Sequence, residues 1–146
     1  KVSFGRTSAT KDAAIRAKPE GIIDPWLETV SFWNGTEPLA ALHCYSTHPM
    51  AFYGQGDVSA DFPGMARRMR QKEMPGVPQI YFTGCSGDTI AGKYNDGSPA
   101  NRPALAGRMH RAMVTAWDGT RRHRLERVGF RSVPLKFGAG EAMRNS

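Results

Sequence analysis

The chain has 146 residues, of which 40% are hydrophobic and 23% charged. This length suffices for one modest domain, the composition excludes an intrinsically disordered chain, and no apolar run reaches the ~18 residues of a membrane-spanning helix. The formal net charge of +7 comes mostly from arginines clustered at 67–70 and 121–124. Such clusters bind nucleic acid or anionic lipid headgroups, or lie on solvated surfaces. Because no aromatic residues interleave with them, we expect solvated surfaces and no nucleic acid, while contact of the basic patches with a membrane surface stays open.

Both ends of the chain are typical of a fragment. Val2-Ser3-Phe4 has the composition of a strand already under way, and no closing element follows Phe137. We therefore expect residues 1–146 to form a single partial domain of a larger protein.

Two strand-like runs occupy the first half of the chain, at 28–33 and 39–45, with the hairpin signal Asn34-Gly35 between them. The continuous apolar run Leu39-Ala40-Ala41-Leu42 is typical of a strand that is buried on both faces. A further strand is predicted at 77–83, around Ile80-Tyr81-Phe82.

Two helices are predicted, at 61–73 and 101–117, with a long glycine-containing loop at 84–99 before the second. Asp61 and Asn101 stand where they could cap the helices, and a proline falls in the first turn of each. Apolar residues at helical spacing predict the buried stripes, which are Phe62, Met65, Ala66 and Met69 in the first helix and Leu105, Met109, Ala112, Met113 and Ala116 in the second.

A last strand is predicted at 127–135, where Val128, Phe130 and Val133 stand in an alternating pattern. The resulting order is β-β-α-β-α-β. Alternation of strands and helices predicts the α/β class, with a mixed sheet that contains an N-terminal β-hairpin and crossover helices, as part of a larger domain.

Two of the four histidines lie five residues apart, at the end of a predicted strand. An odd separation places His43 and His48 on opposite faces of a regular strand, so we do not expect them to bind one metal ion together. His48 stands at the strand end, before Pro49, and is the better candidate ligand, whereas His43 is expected inside the sheet with a hydrogen bond. His110 and His123 are expected on a helix surface and in a loop.

The segment Gly84-Cys85-Ser86-Gly87-Asp88-Thr89 follows a buried strand. Backbone N–H groups in such a turn can hold an oxyanion, and Asp88 could orient a ligand or a water molecule. The alternative is a tight strand-exit turn in which Asp88 binds its own backbone, and the sequence leaves both interpretations open.

Two common catalytic motifs are absent. The stretch from Gly87 to Tyr94 resembles a phosphate-binding loop, but Tyr94 replaces the hydroxyl residue that binds Mg²⁺ and no helix can follow. No G-x-S-x-G motif surrounds any serine, so the signal for a serine hydrolase is weak at the three candidates Ser46, Ser59 and Ser86.

The two cysteines, Cys44 and Cys85, do not form a CxxC pair, so the spacing of a zinc ribbon is absent. Two buried free thiols are the simpler interpretation. A disulfide between neighbouring strands is the alternative if the protein is exported.

Taken in order, several short motifs resemble the catalytic domain of the neutral/alkaline, non-lysosomal ceramidase family. The resemblance runs from about Gly21 to about Lys93. It rests on Gly21-Ile22-Ile23-Asp24-Pro25, the hairpin that leads into Leu39–Leu42, Thr47-His48-Pro49, Ser59-Ala60-Asp61 with Gly64, and Phe82 with Gly87-Asp88.

The resemblance implies a zinc-dependent amidase of sphingolipid metabolism that cleaves the N-acyl bond of ceramide or a related lipid by zinc-activated water. It implies that His48 is a zinc ligand, with the other ligands outside this chain segment. On this basis we predict catalytic roles for Gly87, Asp88 and Thr89 and substrate contacts from Ser86, Asp61 and Tyr94. The resemblance further implies a secreted or extracytoplasmic protein.

One position departs from the family pattern. Ile90 stands where the family has its catalytic serine, and the hydroxyl of Thr89 lies one residue earlier. Two alternatives to the zinc hydrolase therefore stay open, namely a domain of the same fold that binds a ligand without cleaving it, and a basic α/β domain that binds nucleic acid.

Overall fold

The computed structural model describes residues 2–7, 24–52, 54, 58–87, 89–91 and 95–136, and of 2–7 only the backbone. These residues form five strands and two helices: β1 Val2–Thr7, β2 Leu27–Asn34, β3 Glu37–Tyr45, α1 Asp61–Glu73, β4 Gln79–Thr83, α2 Asn101–Asp118 and β5 Arg121–His123. One sheet joins the strands in the order β4-β3-β2-β1-β5. β3 and β4 run parallel, and the other neighbours run antiparallel. The predicted α/β class with a mixed sheet and a hairpin is therefore confirmed. The structure also contains one more strand, β1, which precedes the hairpin in the chain.

The β2–β3 hairpin turns at Gly35, whose φ of 60° is a conformation that glycine adopts without steric cost. The pairing register shifts between Phe32 and Trp33. Beyond this irregularity the side chain of Leu39 is 53% exposed, and Leu42 is only half-buried. The prediction that this run is buried on both faces is therefore wrong, because the described residues cover only one face of the sheet.

The helices cover the face of the sheet to which alternate residues of β2 and β3 point. Thr29, Ser31, Ala41, His43 and Tyr45 are all buried on this face. α1 packs against β4, α2 packs against β1 and β2, and the helices contact each other. On the opposite face, Ile80 and Phe82 are about half exposed, at 48% and 49%.

The buried stripe predicted for α2 is confirmed at all five positions. In α1 the prediction fails at the last position, where Met69 is exposed and Arg70 is buried instead. Burial of this arginine is offset because its Nη1 lies 2.5 Å from Glu73 Oε2 and its guanidinium lies 5.9 Å from the ring centre of Trp117. No helix among the described residues has the length and apolarity to cross a membrane.

The contact between α1 and α2 includes a small ionic cluster. His110, predicted on a helix surface, is half-buried, with its Nε2 2.7 Å from Glu73 Oε1. Desolvation raises the pKa of Glu73, but the hydrogen bond from Arg70 and the charge of His110 outweigh it and leave the pKa below its usual value. At the far end of α2, Trp117 packs against Trp33 with ring centres 5.3 Å apart.

Neither predicted helix cap is observed. Asp61 and Asn101 are the first helical residues, the cap positions belong to Ala60 and Ala100, and neither cap makes a side-chain hydrogen bond. The Asn101 amide instead donates to Asp96 Oδ1, which draws it away from its own helix.

The strand predicted at 127–135 is wrong. Residues 124–136 have no regular secondary structure, and the last strand is β5, which includes His123 and pairs with β1. Val128, Phe130 and Val133 are 80%, 93% and 78% exposed. Their alternation fits a strand, but a strand also needs a neighbour, and none of the described residues pairs with this segment.

Candidate functional site

The candidate site lies where the parallel strands β3 and β4 end. The Gly84 amide donates to the carbonyl of Tyr45 at 3.2 Å, so the chain after β4 stays beside the chain after β3. A Cβ atom at Gly84 would lie 2.5 Å from Ser46 Oγ. A side chain at position 84 would therefore have to displace the hydroxyl of the buried Ser46.

His48 is fixed by the turn that follows β4. Its backbone amide donates to Thr89 O at 2.8 Å, and its ring Nδ1 lies 2.8 Å from Ser86 O. Because a carbonyl only accepts hydrogen bonds, Nδ1 donates, and in the neutral imidazole Nε2 is then the nitrogen with the lone pair. The residue is exposed. Metal-binding histidines are typically held in this way, with one ring nitrogen donating to a carbonyl and the other left for the metal.

The turn at 84–90 carries several of the residues selected from the sequence. The Ser86 carbonyl also accepts the Thr89 amide at 3.2 Å, and the side chains of Ser86 and Thr89 are buried. Gly87 is exposed. Asp88 and Tyr94, for which catalytic and substrate roles were predicted, lie outside the described residues.

The structure places Ile90 beside His48, a contact that the sequence did not predict. The two form a parallel β-bridge, so their side chains stand next to each other on one side of the ladder, and Ile90 is 37% exposed. Thr89 points the other way and is 4% exposed. The strand pairing could have been found only from the register of β3 and β4, which the sequence does not give.

Asp61 lies under the loop that leads to α1. Its carboxylate accepts the amide of Phe52 at 3.0 Å and the amide of Phe62 at 2.6 Å, and its own amide donates to Ser59 Oγ at 3.0 Å. It is 4% exposed and has a φ of 50°, which is uncommon for a residue other than glycine. These contacts give Asp61 a positioning role for the loop after His48, rather than a direct route to a substrate.

His43 is buried in the sheet, as predicted, and both of its ring nitrogens have partners. Nδ1 lies 2.8 Å from Thr29 Oγ1 and Nε2 lies 3.0 Å from Gln79 Oε1. The amide nitrogen of Gln79 donates to the carbonyl of Val77, so its oxygen faces the ring and accepts from Nε2. Burial lowers the pKa of His43 to about 4, against the opposing effect of the Gln79 hydrogen bond.

Both cysteines are free, but Cys85 is exposed and not buried as expected. Burial raises the pKa of the half-buried Cys44 thiol, and the charge of Glu28 adds to this shift. A raised pKa makes a thiol less reactive, so Cys44 is not placed as a nucleophile or a zinc ligand.

A cleft of about 260 Å³ opens beside Pro49, the residue that follows His48. Its walls come from the residue after His48, from the first two turns of α1 and from the end of β4, namely Pro49, Ala60, Pro63, Gly64, Arg67, Tyr81, Phe82 and Thr83. Crevices at the carboxyl ends of parallel strands are common ligand sites in α/β proteins. Within the part of the chain that the structure describes, no group of three or more His, Cys, Asp or Glu residues could hold a metal ion.

Two solved structures share this fold. A ceramidase complexed with C2 has a TM-score of 0.64 at 14% sequence identity, over 80% of this chain and 21% of that one. The neutral ceramidase from Pseudomonas aeruginosa has a TM-score of 0.63 at 15% identity, over 80% of this chain and 22% of that one. No protein-family model and no curated protein matches the sequence. The chain therefore has a ceramidase-like fold and spans about a fifth of the length of these enzymes.

Proposed function

We propose that this chain contributes His48 to the zinc site of a hydrolase that cleaves the N-acyl bond of a ceramide-like lipid. The observation that carries the proposal is the 2.8 Å contact between His48 Nδ1 and Ser86 O, which leaves Nε2 available on an exposed ring. The ceramidase-like fold supports the hydrolase class. A lipid-like substrate is supported by the neighbour, a ceramidase complexed with C2.

The residues of this chain fit zinc as one ligand of a larger set. A neutral imidazole with its second nitrogen on a carbonyl is a common zinc ligand. The remaining ligands are expected outside this chain segment. When bound, zinc would supply Lewis-acid chemistry and lower the pKa of a water molecule to about 7.

The chain's own residues would then hold the imidazole of His48 in place and orient it toward the metal. The Ser86 carbonyl keeps the proton on His48 Nδ1, and the amides of Gly84 and Thr89 fix the turn that carries this carbonyl. Because Thr89 is buried, we assign it to the turn rather than to direct attack on the substrate. Gly87 is exposed at the tip of the turn, where its amide could stabilise an oxyanion.

The proposal is tested by hydrolysis of a short-chain N-acyl sphingoid base by the full protein. We expect a strong chelator to abolish the release of fatty acid and added zinc to restore it. His48→Ala should remain inactive after zinc is added, whereas His123→Ala, which removes an exposed histidine from β5, should keep full activity. Activity that survives chelation, or that His48→Ala retains, would contradict the proposal.

A second candidate function is ligand binding without hydrolysis. It is favoured by one observation, the apolar side chain of Ile90 beside His48 at the position of the family's serine. In this case the full protein would bind the N-acyl sphingoid base stoichiometrically and release no fatty acid, even when zinc is present.

Contact with a membrane surface is also part of the proposal. Arg121, Arg122 and Arg124 are exposed and lead into a segment in which Phe130 is 93% exposed. Exposed cations next to exposed apolar side chains suit an anionic lipid surface. The other basic cluster is less suited, because Arg70 is buried and points into the contact between the helices. No observation favours nucleic acid.

A further inference from the structure

The cleft beside Pro49 has two different walls and one charged side chain. Ala60, just before α1, and Pro63, Gly64 and Arg67 recur at the spacing of one helix face, and Tyr81 of β4 stands opposite on the face of the sheet that the helices cover. The walls are largely apolar. The guanidinium of Arg67 is therefore the group that gives the cleft a charge.

Arg67 has much of its hydrogen-bonding capacity unused. Its Nη1 donates to Gln79 O at 3.3 Å, and none of the carboxylates among the described residues forms an ion pair with it. A guanidinium carries five N–H donors in a planar fork. Among the described residues one of these five donors is engaged, and a half-buried cation in this state beside apolar walls favours an anionic ligand.

The start of α1 argues against a phosphate. Sites for phosphate at helix N-termini use several free backbone amides. Here the Phe62 amide donates to Asp61 Oδ1, the Gly64 amide donates to Ala60 O, and Pro63 has no amide hydrogen. Recognition therefore falls to Arg67, whose planar fork matches the two oxygens of a carboxylate.

The hydroxyl of Tyr81 is not available to bind the carboxylate. Its hydroxyl donates to the carbonyl of Tyr45 at 3.2 Å, and burial raises its pKa, so it stays protonated and engaged. At about 260 Å³ the cleft is slightly smaller than the roughly 300–1,000 Å³ of typical small-molecule sites. It therefore suits a small ligand, such as a carboxylate with a short or medium alkyl chain.

We propose that the cleft binds a carboxylate carried on an alkyl chain, with Arg67 pairing the carboxylate and Pro49, Pro63 and the ring of Tyr81 contacting the chain. The inference deepens the proposed function and rests on it, because cleavage of an N-acyl bond releases a fatty acid next to His48. The same chemistry could come from that product or from an N-acyl amino acid used as substrate.

The test is a calorimetric titration of sodium octanoate into the full, zinc-free protein. We expect Arg67→Gln to weaken binding at least tenfold and Arg68→Gln, which removes an exposed arginine one residue along, to change it less than twofold. Octanol, which has no charge, should bind equally to the wild type and to Arg67→Gln. Equal octanoate affinity in wild type and Arg67→Gln, or an equal loss in Arg68→Gln, would overturn the proposal.

A second variant guards against misfolding of Arg67→Gln. Ala60→Leu fills the cleft from an exposed position and keeps the arginine, and it should weaken octanoate binding at least fivefold. Unchanged binding in this variant would also overturn the proposal. N-octanoylglycine separates the two sources, because tighter binding than octanoate indicates the substrate and weaker binding indicates the product.

The zinc-hydrolase proposal and the carboxylate-site proposal can be refuted independently of each other. The zinc content of His48→Ala and the octanoate affinity of Arg67→Gln are measured separately, because the titration uses no zinc. If the full protein never binds zinc but octanoate binds through Arg67, the hydrolase is refuted and the carboxylate site stands. If zinc binds through His48 but Arg67→Gln has no effect on octanoate affinity, the carboxylate site is refuted and the hydrolase proposal stands.

Discussion

Two histidines five residues apart, His43 in β3 and His48 beyond the end of that strand, have opposite surroundings. His43 is buried, and neutral side chains occupy both of its ring nitrogens. His48 is exposed, and a backbone carbonyl occupies one nitrogen while the other stays available. The first arrangement uses the imidazole to satisfy polar groups inside the sheet, and the second presents a lone pair to a ligand.

The difference shows that the partners of a histidine, rather than its place in a motif, decide what it can do. The Thr29–His43–Gln79 chain satisfies three polar side chains within a face of the sheet that is otherwise packed by helices. The His48–Ser86 contact instead joins two chain segments that follow neighbouring parallel strands. We expect changes at His43 to alter stability and changes around His48 to alter metal binding.

The largest effect is expected from His43→Ala. The substitution leaves Thr29 Oγ1 and Gln79 Oε1 without their partner and opens a cavity, so the free energy of unfolding should fall by about 3–4 kcal/mol. His48→Ala removes one hydrogen bond at an exposed position and should cost less than about 1 kcal/mol. Urea unfolding at pH 7.5 measures both, and equal losses would remove the contrast between the two sites.

Acid should produce a loss of similar size. The pKa of His43 is about 4 in the folded chain against 6.5 as its ordinary value, so below pH 6.5 the unfolded chain binds more protons. The stability contributed by neutral His43 is therefore complete above pH 6.5, decreases as pH falls and is lost near pH 4. Its total is about 3 kcal/mol.

The control for this prediction is His43→Gln, which keeps a hydrogen-bonding side chain but cannot titrate. Its free energy of unfolding, measured between pH 7.5 and 4, should vary by about 3 kcal/mol less than that of the wild type. Parallel curves for the two proteins would mean that His43 does not carry the pH dependence.

A smaller effect is expected at the turn that holds His48. Gly84→Ala places a Cβ atom 2.5 Å from Oγ of the buried Ser46, so either this hydroxyl or the turn has to shift, at a cost of about 2 kcal/mol. We expect the turn and its Ser86 carbonyl to shift, and the zinc affinity of the full protein to fall about tenfold. The matched control is Gly87→Ala, since no atom lies within 4 Å of a Cβ atom at this position. Similar unfolding curves for the two alanine variants would contradict this account of the turn.

The smallest effect concerns the neighbour of His48. Ile90→Lys places a positive charge beside the imidazole and should weaken zinc binding about tenfold, or about 1.4 kcal/mol, with little change in stability. Ile90→Met, a neutral side chain of similar size, should bind zinc like the wild type. If lysine at position 90 has no effect on zinc affinity, its side chain does not lie beside His48.

The parts of the fold that depend on apolar periodicity could be predicted from the sequence. The five buried positions of α2 follow from helical spacing, and the burial of His43 follows from the alternation of β3. Periodicity failed where a specific contact decides burial. Arg70 is inside because Glu73 and Trp117 compensate its charge, and no pattern in α1 encodes this.

The candidate site was less predictable than the fold. Its central contact uses the backbone carbonyl of Ser86, which lies 38 residues from His48. Because every residue has a backbone carbonyl, the sequence does not indicate which one makes this contact. The strand expected at 127–135 failed for a related reason, because the alternation of Val128 and Phe130 cannot report whether a neighbouring strand exists. Pairing and register are properties of the assembled sheet.

The zinc content of the full protein tests the central claim most directly. Plasma emission spectrometry would compare the wild type with His48→Ala and with His123→Ala, the exposed histidine of β5. The account predicts about one zinc ion per chain in the wild type and in His123→Ala, and loss of the metal in His48→Ala. Zinc that stays bound in His48→Ala, or a wild type that never binds zinc, would contradict the assignment of His48 as a metal ligand.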